Sequence, residues 1–180
     1  MRVARPREFL FATLDRGLVA ANRWAMIVAL AVMAVVVFVS VVVRYLVDYS
    51  VLWSEEVARY LMVWLTFLGI GPVLRIGGHV AIDTAQASLP AVPAMVLRAI
   101  VLAAVLLFCV LLVRFGHALV LRTLHQTTAV TEISFAWVSS AVPVGAALAL
   151  WHWAAMARAY LLERRFQVSA DVDAERIASA

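Results

Sequence analysis

Lysine is absent from these 180 residues: the fifteen basic residues are all arginine, eleven residues are acidic, and charged residues make up only 14% of the chain. That leaves too little polar surface for a soluble domain beside the apolar stretches. Nucleic-acid binding is also disfavoured. The net charge of +4 comes from arginines at the ends of apolar runs, where they anchor spans at headgroups and set orientation. The lone cysteine, Cys109, lies inside an apolar run, which excludes an intrachain disulfide and a thiolate metal centre and leaves a small core residue. No internal repeat is evident, so the repeated halves common in secondary transporters are missing as well.

Hydrophobic residues supply 66% of the chain, and the mean hydropathy is +0.98. Trp24 to Val43 is a 20-residue run without charge. At about 1.5 Å per residue it covers roughly 30 Å, the thickness of a bilayer's hydrocarbon core. Arg2, Arg5, Arg7, Arg16 and Arg23 give it the basic front of a secretory signal. A signal's apolar core, however, has only about 7 to 15 residues and ends at a small-residue cleavage site. This run ends in Val41-Val42-Val43-Arg44-Tyr45 and reads as a retained first span. Ahead of it, Phe11, Leu14 and Leu18 recur at helical spacing, predicting a short amphipathic helix on the membrane surface.

For the second span Ser54 is the expected N-cap, Glu55 and Glu56 suit the positive helix end, and Arg59 reaches back to the headgroups. Pro93 suits the first turn of the third span, with Arg98 a turn or so inside. The fourth carries Pro143 in its interior, tolerable where the Ser139 and Ser140 hydroxyls meet the freed carbonyls. Glu163 to Ala180 are polar and expected to fray. The expectation is an all-α integral membrane protein, with four transmembrane helices in one compact bundle and a short amphipathic N-terminal surface helix. It forms a single domain over residues 1–180, with spans at 24–43, 54–74, 94–114 and 133–152.

Eleven arginines lie in the amino tail, the loop from Arg75 to Arg98 and the carboxyl tail, against four (Arg44, Arg59, Arg114 and Arg122) on the other side. Both termini are therefore expected to be cytoplasmic.

Polar and special residues are densest from Trp53 to Tyr60 and from Arg75 to Asp83. On a helix Glu55, Arg59, Met62, Thr66, Gly69 and Val73 step by four and three onto one stripe, the expected protein-facing side, while Val57, Leu61, Trp64 and Leu68 form a bulky stripe elsewhere. Glu55 and Arg59 are spaced as an i, i+4 acid-to-base pair. Two readings stand: an interfacial ion pair that stabilises the helix end, or a contact from Arg59 to an anionic lipid or a neighbouring subunit.

The run W-S-E-E-V-A-R-Y-L-M-V-W-L-T-F-L-G from Trp53 to Gly69, R-I-G-G-H-V-A-I-D from Arg75 to Asp83, and Ala141-Val142-Pro143-Val144-Gly145 resemble the small membrane subunit of tripartite ATP-independent periplasmic (TRAP) transporters. The resemblance covers roughly residues 20 to 165; alanine at Ala81, between the usual branched residues, is the chief departure. It implies a bacterial or archaeal inner-membrane complex with a large multispanning permease subunit, which holds the substrate and sodium sites, and a periplasmic binding protein that captures an organic acid. It marks Trp53, Glu55, Glu56, Arg59, Gly69, Arg75, His79, Asp83 and Pro143 as motif residues. A scaffold that braces such a partner needs a face to grip, and Trp64, Leu68 and Trp137 are the candidates. Lipids and the two other subunits are the expected partners; no cofactor, metal or catalytic residue is expected.

Two rival classes fit these residues less well. A haem-binding anchor needs facing histidines, but His117 and His152 fall at opposite ends of their spans and His79 and His125 in loops. His79 beside Gly77 and Gly78 orders a loop more readily than it binds a metal, since no second ligand lies at useful spacing. A stand-alone four-helix exporter needs an embedded carboxylate, whereas Glu55, Glu56 and Glu132 sit at outer edges.

Overall fold

A computed structural model of the chain describes residues 6–76 and 90–163, with side chains over 13–75, 90 and 92–157. The elements are α1 (Pro6–Val47), α2 (Leu52–Ile76), α3 (Ala91–Thr123), a single-turn α4 (Ala136–Ser139) and α5 (Ala141–Glu163). Four stretches are long and apolar enough to cross a bilayer: Thr13–Val47, Leu52–Arg75, Val92–Thr123 and Ala136–Ala157, the last formed by α4 and α5 together. Among the described residues the strand-like pairing is confined to an isolated bridge between Thr127 and Ser134. The protein is an all-α membrane protein.

The amphipathic segment and the first span are one uninterrupted helix of 42 residues. Pro6 stands at its first position, where a missing N–H is harmless, and no later proline interrupts the ladder. The helix stops where Asp48 turns to φ 52, the left-handed conformation that ends many helices. Val51 accepts the Ser54 N–H at 3.2 Å, so α2 begins at Leu52 and Ser54 lies in its first turn rather than at the expected cap. Pro72 lies inside α2 and cannot donate to the Leu68 carbonyl.

The described chain forms two compact units, one from residues up to Leu65 with Ala129–Glu132, the other from Thr66–Thr128 with Ile133 onward. In the second unit α3 and α5 run antiparallel along a seam that repeats every seven residues of α3. The Trp153 indole donates to the Leu102 carbonyl at 3.1 Å, Cys109 shares a buried cluster with Ala149 and Leu74, Gly116 meets Pro143, and the Thr123 and Ser139 hydroxyls lie 2.8 Å apart. A strict seven-residue step keeps one face toward the neighbouring helix, and small residues there let the backbones close in. The end of α2 lies parallel to α5: a Cβ on Gly145 would come within 2.5 Å of the Phe67 carbonyl oxygen.

Pro143 is the third residue of α5, not an interior residue of one continuous helix. Having no N–H for the Ser139 carbonyl, it leaves a break at Ser140, and the ladder resumes as Val144 donates to Ser140 at 3.1 Å. At this break Ser140 Oγ donates to the Trp137 carbonyl at 2.7 Å, rather than to the Ser139 carbonyl that Pro143 frees.

Candidate functional site

In the first unit the acidic pair divides its work. Glu55 is exposed and forms an ion pair at 3.1 Å with Arg44, in the last turn of α1. The i, i+4 pair with Arg59 is therefore not the one that forms, because a partner from another helix reaches Glu55 first. Glu56 is buried, at 8% exposure. Its Oε2 accepts the backbone N–H groups of Val130 at 3.0 Å and Thr131 at 2.9 Å, and its Oε1 accepts the Tyr60 hydroxyl. A carboxylate that accepts backbone N–H groups makes charge-assisted bonds, about twice as strong as neutral ones. Glu56 thus clamps a turn whose next residue, Glu132, has φ 55, a conformation that a side chain of this size rarely adopts. Beside the pair the buried Ser54 hydroxyl donates to Ser40 Oγ at 2.8 Å, tying α2 to α1. Val37, Ser40, Val41, Arg44, Ser54 and Glu55 line a shallow groove between these two helices.

The second unit holds a polar contact at the far end of α2. Arg75 Nε donates at 2.5 Å to Nδ1 of His152, which is 1% exposed. The ring occupies the space a Cβ would take at Gly71, 2.1 Å from its Cδ2. Arg98, a turn or so inside the third span, is buried at 4% exposure, its Nε donating to the Ala94 carbonyl at 3.2 Å.

The stripe expected to face protein is the one this chain leaves open. Glu55, Arg59, Met62, Thr66 and Val73 are exposed and Gly69 is half-buried, whereas Ser54, Glu56, Leu68, Gly71 and Leu74 are the buried residues of α2. Of the three expected grip residues, Leu68 is buried inside the chain, Trp64 is half-buried and Trp137 is 71% exposed. Trp53 is half exposed. His79 and Asp83, with Gly77, Gly78 and the tail from Arg164, lie outside the described residues.

Sequence reasoning missed the Arg75–His152 contact, the buried Arg98 and the seven-residue seam. Signals existed for the first and the last. Arg75 and His152 fall at the same end of their expected spans, and Cys109, Gly116 and Thr123 are small residues seven apart.

Residues 33–162 match a family model described as Tripartite ATP-independent periplasmic transporters, DctQ component. Over 84 residues the chain is 33% identical to a protein of Haemophilus influenzae provisionally named a TRAP transporter small permease protein. That alignment spans 47% of this chain and 52% of the relative, about half the length of each.

Proposed function

Because this chain belongs to the DctQ component family of tripartite ATP-independent periplasmic transporters, we propose that it braces a large multispanning permease subunit. The bracing serves ion-coupled uptake of an organic acid handed over by a periplasmic binding protein. In this reading the four helices cross the inner membrane of a bacterial or archaeal cell, with both termini cytoplasmic and lipids around the rest. The observation that carries it is the family match over residues 33–162, which takes in every described helix from the second half of α1 onward. The geometry agrees with a brace. Glu56, Ser54, Arg75 and His152 bond to this chain's own backbone and side chains, as a rigid support requires.

The test is reconstitution. Vesicles holding this chain and the large subunit, given the binding protein and an inward sodium gradient, should accumulate the organic acid, and those lacking either membrane subunit should not. Transport by this chain alone would make it a stand-alone carrier. Full transport by the large subunit alone would remove the bracing role.

A further inference from the structure

We propose that the open face of α2 is where a transmembrane helix of the large permease subunit docks, and that this helix carries a carboxylate opposite Arg59. The assignment rests on the bracing role proposed above and adds to it the face and its chemistry.

Two observations that did not have to agree converge on this face. Spacing and residue type mark Glu55, Arg59, Met62, Thr66, Gly69 and Val73 as the side of the helix that suits protein rather than lipid. In the folded chain these same positions are exposed, apart from the half-buried Gly69, while the opposite side, with Leu68, Gly71 and Leu74, packs inward. A face built for protein and left uncovered by its own chain needs a second chain.

Charge defines what that chain must bring. Glu55, the nearest acid on the helix, is held by Arg44. Among the described residues no hydrogen bond or ion pair involves Arg59, which stands exposed seven residues into a helix of mean apolar character. A cation there either reaches for headgroups or meets an acid, and guanidinium meets carboxylate through two parallel hydrogen bonds. A lipid phosphate would satisfy Arg59 but not the rest of the face. Gly69 lies ten residues further on, about 15 Å deeper, where only another helix profits from a small side chain.

The experiment uses the two membrane subunits coexpressed and purified through a tag on this chain. A photoreactive benzoylphenylalanine at Met62 leaves Arg59 intact and should, on irradiation, tie this chain to one helix of the large subunit. Arg59→Glu should lower the large subunit recovered at least tenfold and Arg59→Lys two- to threefold. An acid-to-arginine change on the helix captured by the crosslink should restore recovery to Arg59→Glu. Crosslinks from Met62 to phospholipid alone, or equal recovery with Arg59→Glu, would overturn the assignment. If the unaltered chain retains no large subunit, the bracing role itself fails; if it does and Arg59→Glu retains as much, only the docking face fails. Thr66→Trp, uncharged and on the same face, should also reduce recovery while the chain still inserts.

Discussion

At Gly71 a hydrogen stands where any other residue would place carbon against the His152 ring. A Cβ there would sit 2.1 Å from His152 Cδ2, far inside contact distance, and the ring is itself held by Arg75. Gly71→Ala is therefore expected to lower stability by about 1–3 kcal/mol, as overpacking does, read as a fall in the thermal midpoint of the detergent-solubilised protein. Adding His152→Ala should recover part of that loss, and simple additivity of the two changes would show that the clash is not the cause. The two neighbouring glutamates separate in the same way. Glu56 is buried and accepts two backbone N–H groups and the Tyr60 hydroxyl. Glu56→Gln should cost about 1.5–3 kcal/mol, the range for hydrogen bonds to a charged group. Glu55→Gln breaks an exposed pair and should cost about 1 kcal/mol or less. Equal losses from the two, measured by the same melting experiment, would contradict the clamp.

Among the elements, α2 shows how one helix serves two neighbourhoods. Its inward side carries Leu68 and Leu74, and its outward side carries Arg59 and Met62. Of the three bulky grip candidates, Leu68 belongs to the chain's own packing and Trp137 to its exterior. Leu68→Ala is expected to lower the melting temperature of the isolated chain, because within a bilayer packing rather than exclusion from water holds helices together. The cavity part of such a change amounts to about 1–3 kcal/mol. Trp137→Ala should leave that midpoint unchanged and lower recovery of the large subunit instead. The opposite pattern would reverse the assignment of the two sides. In α5 the proline reads differently in the folded chain than in the sequence. It comes in the first turn after a break at Ser140, where an absent N–H is tolerated.

For the whole molecule, the uneven spread of arginines about the spans predicts the orientation. Reporter fusions after Arg165 should read as cytoplasmic and those near Asp48 or Gln126 as periplasmic; a periplasmic carboxyl terminus would overturn the topology. The Arg75–His152 contact is compatible with that scheme. Spans two and four run in the same direction in any alternating topology, and Arg75, in the last turn of α2, meets His152, midway along α5.

The helical class, the membrane setting and the number of crossing stretches were determined by the sequence alone, because hydropathy over a 20-residue run and the 3.6-residue period are local properties. The motifs from Trp53 to Gly69 and from Arg75 to Asp83 were together enough to point to the family, since they depend on residue identities and not on contacts. Which acid Arg44 meets, which side of α2 lies inward, and where α5 starts were decided only in three dimensions. Glu55 had a candidate four residues away and bonds instead to an arginine eleven residues back on another helix. Arg98, a charge near the start of its span, is enclosed. Periodicity lists which residues share a face, but not which neighbouring helix arrives there, and long arginine side chains reach whichever partner the crossing of those helices brings near.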